Sequence, residues 1–143
     1  MPTEKKISFI AYSVWLLAIL GTLGSLYFSE VRGFAPCVLC WYQRIALYPL
    51  VILIPIGIIK KDALITLYTI VLSVIGALIA LYQNLLIWGI VPEKLVPCTG
   101  GVSCTTEYVS YFGFITIPLL SLIAFLSVLI LAWYWKKLQK AVY

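Results

Sequence analysis

The stretch ISFIAYSVWLLAILGTLGSLYF, Ile7–Phe28, holds no charged residue. A hydrocarbon layer roughly 30 Å thick needs about 20 apolar residues in helical form, and this run supplies them. Three more runs of the same kind follow: CWYQRIALYPLVILIPIGII over about 40–59, a third over about 63–91 and a fourth over about 114–135. With 143 residues, 64% apolar and 10% charged, the chain is too hydrophobic for an ordinary soluble domain. Backbone groups in hydrocarbon must be satisfied within the segment, so the spans are read as helices. The expected fold is all-α, an integral membrane four-transmembrane-helix bundle in up-down-up-down order, with one domain over residues 1–143. Ile7–Phe28 is longer than a signal-peptide core and no clear small-x-small cleavage pattern follows it, so it is expected to be retained.

The basic residues orient the bundle. Lys5, Lys6, Lys60, Lys61, Lys136, Lys137 and Lys140 fall at the N-terminus, between spans two and three, and at the C-terminus. Arg32, Arg44 and Lys94 fall on the other side, where Glu30, Glu93 and Glu107 balance them. Such a bias predicts that both termini are cytoplasmic, and that the loops over about 29–39 and 92–113 face outward from the plasma membrane. The net charge of +5 then reads as topology and attraction to anionic lipid, not as a nucleic-acid patch. Trp41, Tyr42, Trp88, Tyr108 and Tyr111 at one set of span ends, and Trp133, Tyr134 and Trp135 at the other, suit interfacial anchors. Lys60–Lys61–Asp62 reads as a tight turn. Pro49 and Pro55 in span two and Pro118 in span four predict bends, with freed carbonyls bonded by neighbours.

All four cysteines fall on the predicted outer side: Cys37 and Cys40 at the mouth of span two, Cys98 and Cys104 in the second outer loop. Cysteines facing an oxidising compartment suggest two disulfides. Bonds closing such short loops add little stability, and short exposed disulfides are the labile ones, suited to exchange. Cys37, Cys40 and Arg44 share one face if the helix starts by Cys37, a start that Pro36 suits. The helix dipole and the guanidinium would then both favour thiolate, the reactive form. A charge at the hydrocarbon edge usually has a function, and a lipid-soluble acceptor that turns anionic on reduction, such as a quinone, would gain from Arg44. Cys98 lies on a tether that reaches at most about 25 Å from Val91, enough to meet a soluble thiol and then return to Cys37–Cys40. Histidine is absent, which removes His-containing zinc sites and His-based acid–base catalysis; a four-cysteine zinc site stays formally open. Gln83, Asn84 and Ser121 suit interhelical hydrogen bonds or contact with a quinone oxygen.

PCVLCWYQR (Pro36–Arg44), together with four spans and a second cysteine pair in the second outer loop, resembles the DsbB family, in particular its short BdbC-type members. TIPLLSLIAF (Thr116–Phe125) is also similar to that family. The resemblance implies a membrane thiol–disulfide oxidase that takes electrons from a DsbA-like, thioredoxin-fold partner and passes them to ubiquinone or menaquinone. It implies that Cys98 forms the mixed disulfide with the partner and that Cys37–Cys40 reoxidises Cys98–Cys104. It further implies that Cys40 lies next to the quinone, with Arg44 supporting the charged intermediate. The Cys98–Cys104 spacing is tighter, and the loop shorter, than in larger members. Two alternatives stand beside this reading: a non-enzymatic membrane protein with structural disulfides, and a vitamin K epoxide reductase-like quinone reductase. In the latter group the loop pair precedes the Cys-x-x-Cys, the reverse of the order here.

Overall fold

The computed structural model describes residues 2–92, 110–111 and 115–142. Helix α1 is Thr3–Leu26 and winds on as a π-helical segment, Tyr27–Val31; α2 is Val38–Lys60, α3 is Ile65–Ile87 and α4 is Ile117–Val142. A short antiparallel pair, β1 (Ser110–Tyr111) and β2 (Ile115–Thr116), precedes α4, with Ser110 opposite Thr116. All four helices are long and apolar enough to cross a membrane. Each packs against its neighbours in sequence, and α1 closes the ring against α4. At 1.5 Å per residue a helix of 23 residues rises about 34 Å, slightly more than the hydrocarbon layer.

The polarity of the helices explains the packing. On α3, Thr66, Thr69, Ser73, Gly76, Ala80 and Gln83 recur at helical spacing and are buried, whereas Leu67, Val71, Val74, Leu78 and Leu81 are exposed. Polar and small residues therefore face the bundle and aliphatic ones face outward, the arrangement expected where lipid replaces water. Two buried polar side chains of α3 bond back to their own helix: Thr69 Oγ1 donates to Ile65 O at 2.8 Å and Asn84 Nδ2 to Ala80 O at 2.7 Å. Small inward residues let large ones in. Phe125 is almost wholly buried against α3, and a Cβ on Gly76 would overlap its ring.

The connections are short and specific. Lys61 adopts the left-handed conformation (φ 52°) just past α2. Its N–H reaches Ile58 O at 3.3 Å and the Asp62 N–H reaches Gly57 O at 3.0 Å, a Schellman-type stop. Asp62 Oδ1 then accepts from the Leu64 N–H at 2.9 Å, so the chain reverses within a few residues. Between α1 and α2, Gly33 takes φ +69° and lets Phe34 fold back to stack on Phe28, ring centroids 6.2 Å apart.

The prolines behave in two ways. Pro55 lacks the N–H that would bond Val51 O one turn back, and the Trp15 indole N–H fills the gap at 2.9 Å. The expected rescue by a neighbouring helix is thus found at Pro55. Pro118 corrects the expected bend in span four. It sits in the first turn of α4, where its missing N–H leaves no helical bond unmade. Thr116 accepts from the Leu119 N–H there at 3.4 Å, completing the helix start.

Trp15→Phe keeps the ring and removes the donor. Leaving the partly buried Val51 carbonyl bare should cost about 1 kcal/mol, seen as a lower unfolding midpoint in detergent. In a Pro55→Ala background, where α2 regains its own N–H, the same substitution should cost little.

Candidate functional site

Cys37 is the N-cap of α2, in extended conformation, and its sulfur accepts from the Cys40 N–H at 3.4 Å. The first turn brings Cys40 round to the same side, so the two sulfurs lie 3.0 Å apart as free thiols. The expectation that the dipole favours thiolate at both positions does not hold for Cys37. Its shared hydrogen bond with Cys40, and then burial, push that thiol up from its ordinary value.

A third group completes the pair. Gln83, on α3, is only 3% exposed, and its Nε2 lies 3.3 Å from Cys37 Sγ and 3.5 Å from Cys40 Sγ. Gln83 Oε1 accepts from Gln43 Nε2 at 2.7 Å, and Gln43 Oε1 accepts from the Ser121 hydroxyl. The chain of bonds thus starts on α4, crosses α2 and α3, and ends at the sulfurs on α2.

Arg44 stands one turn beyond Cys40 and is held by α1. Its Nε donates to Ser25 Oγ at 2.9 Å and its Nη2 to Ser25 O at 3.1 Å, while Tyr48 Oη lies 3.3 Å from the same hydroxyl. The guanidinium also lies over the Trp41 ring, 5.1 Å from its centroid. A charge placed at the membrane edge is therefore bonded on one side and stacked on the other.

These groups border a cavity of about 290 Å³ enclosed by all four helices and the Phe34–Cys37 segment. Leu20, Leu47, Phe28 and Phe125 supply apolar wall, and Cys37, Cys40, Gln43, Arg44, Gln83 and Ser121 supply the polar points. A mostly apolar pocket with a few convergent polar groups is the form of a small-molecule site. Its chemistry suits a planar, lipid-soluble acceptor, with sulfur as the redox group and Arg44 as a donor.

Of the residues singled out from sequence, Cys37, Cys40, Arg44, Gln83 and Ser121 converge here. Asn84 is fully buried beside them in sequence, but it bonds its own helix and does not border the cavity. Cys98 and Cys104 lie outside the described residues. Ser25, and Gln43 as a connector, were not anticipated. Gln43 had a readable signal: an amide inside an apolar span, one turn from Cys40 on the same face. Ser25, a lone serine near the end of a greasy run, had none.

The family described as "Disulfide bond formation protein DsbB" matches residues 8–135. The chain belongs to the DsbB family. Among its relatives, the disulfide bond formation protein C of Bacillus subtilis (strain 168) is 44% identical over 129 residues, covering 89% of this chain and 91% of the relative. The probable disulfide formation protein C 1 of Bacillus anthracis is 44% identical over 128 residues, covering 90% and 92%. The probable disulfide formation protein C of Halalkalibacterium halodurans is 43% identical over 133 residues, covering 89% and 93%. No solved structure matches the chain. This DsbB-family protein is thus a disulfide formation protein built as a multi-pass membrane bundle.

Cys37 is buried and its thiol held protonated, whereas Cys40 is partly open toward the cavity. Brief treatment of the reduced protein with a membrane-permeant maleimide should therefore label Cys40 before Cys37, as read by peptide mass mapping. Equal or inverted labelling would contradict the geometry.

Proposed function

We propose that this DsbB-family protein is a protein-dithiol:quinone oxidoreductase that reoxidises a DsbA-like, thioredoxin-fold thiol oxidase outside the plasma membrane. The observation that carries the proposal is the adjacency of the Cys37 and Cys40 sulfurs to an apolar cavity bordered by Arg44. Both termini are cytoplasmic in this reading, the domain is residues 1–143, and the sulfur end of the bundle faces outward, in keeping with the distribution of lysines.

The electron path runs through two exchanges. A thiolate of the reduced partner attacks the Cys98–Cys104 disulfide at Cys98, giving a mixed disulfide and releasing Cys104. The partner's second thiolate displaces Cys98, so the partner leaves oxidised and the loop pair holds two electrons and two protons. The loop dithiol then reduces the Cys37–Cys40 disulfide by the same chemistry and becomes a disulfide again. A ubiquinone or menaquinone, when bound in the cavity, supplies a two-electron, two-proton acceptor that restores Cys37–Cys40. Cys40 would be the residue beside it, with Arg44 as a donor to one of its oxygens. Arg44 comes to this task already oriented, because its bonds to Ser25 fix it on α1. Orientation settled before binding reduces the cost of ordering the site.

Purified protein supplied with reduced partner and quinone should consume the two in equal amounts, and Cys40→Ser should stop quinone reduction; full turnover by that variant would remove the mechanism. Arg44→Ala should raise the apparent KM for quinone about tenfold, the loss of one charge-assisted bond, with a smaller effect on the unfolding midpoint. Unchanged quinone kinetics would exclude the role given to Arg44.

A further inference from the structure

The Ser121–Gln43–Gln83 chain has a direction. A primary amide has a donor end and an acceptor end, and a buried one is stabilised when both are engaged. Ser121 Oγ donates to Gln43 Oε1, and Gln43 Nε2 donates to Gln83 Oε1 at 2.7 Å. With its oxygen engaged by Gln43, Gln83 turns its NH₂ to the sulfurs, 3.3 and 3.5 Å away. The Cys40 sulfur lies farther from that oxygen, at 3.9 Å. Every strong bond in the chain therefore donates toward Cys37 and Cys40. Gln43 at 7% and Gln83 at 3% exposure are shielded from water that could compete for these bonds.

Sulfur in its different states values such a donor unequally. A disulfide or a thiol is a weak acceptor, and a thiolate is a charge-assisted one, stronger still where the dielectric is low. The chain thus favours the reduced, ionisable pair over the disulfide. A dithiol stabilised relative to its disulfide makes that disulfide a stronger oxidant.

We propose that Gln83, oriented by Gln43 and Ser121 as positioning residues, stabilises the reduced Cys37–Cys40 pair and so raises the oxidising strength of its disulfide. This deepens the proposed function, on which its biological sense rests: a more oxidising inner pair draws electrons from the loop pair. The assignment concerns only the sulfurs and the three side chains, with no quinone or protein partner needed to detect it.

The test equilibrates the full chain, with Cys98→Ser and Cys104→Ser to isolate the pair, against glutathione buffers in detergent. The reaction is one Cys37–Cys40 disulfide plus two glutathione thiols giving the dithiol plus glutathione disulfide, read by alkylation and mass. Gln83→Met fills similar space and cannot donate. It should shift the equilibrium toward the protein disulfide about tenfold, equivalent to ~30 mV for a two-electron couple. Gln43→Met should shift it the same way by less, because Gln83 keeps its N–H groups but loses the contact that aims them. The Gln43→Met/Gln83→Met double variant should match Gln83→Met alone, since Gln43 acts through Gln83. Equilibria unmoved by Gln83→Met, or single effects that add in the double variant, would overturn the proposal. Gln43→Met, two bonds from the sulfurs, gives a readable answer if Gln83→Met fails to fold. A parent pair that does not exchange with glutathione would instead count against the proposed function, and the two failures are distinguishable.

Discussion

A polar atom placed in hydrocarbon must find its partner inside the protein. That requirement governs this molecule more than burial of apolar area does, because lipid is as hospitable to leucine as the bundle interior is. It explains why α3 turns threonine and glutamine inward while its leucines face out. It also explains why Trp15 reaches across to a carbonyl that Pro55 left without a donor. At the end of the bundle where α2 begins, the same requirement is turned to chemistry: Ser121 donates to Gln43, Gln43 donates to Gln83, and the Gln83 amide points its N–H groups at two sulfurs.

Arg44 shows the rule at its most demanding. A guanidinium at the membrane edge has five N–H groups to place, and the structure gives two of them to Ser25 and lays the plane of charge over Trp41. The charge is consequently fixed to α1 while the sulfurs belong to α2. Their relative position is set by how those helices pack, and that packing rests on small contacts, such as Leu47 against Gly21.

The broad architecture was legible from the sequence because it depends on length and composition. Uncharged runs such as Ile7–Phe28 have one physical solution in lipid, and the spacing of Cys37, Cys40 and Arg44 follows from the pitch of a helix. What could not be read was anything decided between helices. Gln83 could be marked as an interhelical group, but its meeting with Gln43 and the sulfurs depends on helix rotation, which composition does not encode. Pro118 misled because a proline reads alike whether it opens a helix or interrupts one, and the start of α4 just before it is what separates the cases. Cys37 departed from expectation for a similar reason: the neighbouring thiol at 3.0 Å outweighs the dipole that a one-dimensional reading emphasises.

The bond from Trp15 to the Val51 carbonyl also constrains how such a chain can change over generations. Pro55 and the indole form a physical couple, although they are distant in the primary structure. A lineage that first replaces the proline regains a helical donor and is then free to abandon the tryptophan. One that loses the tryptophan first must carry an unmet carbonyl until the proline follows. Descendants should therefore record the two losses in a preferred order.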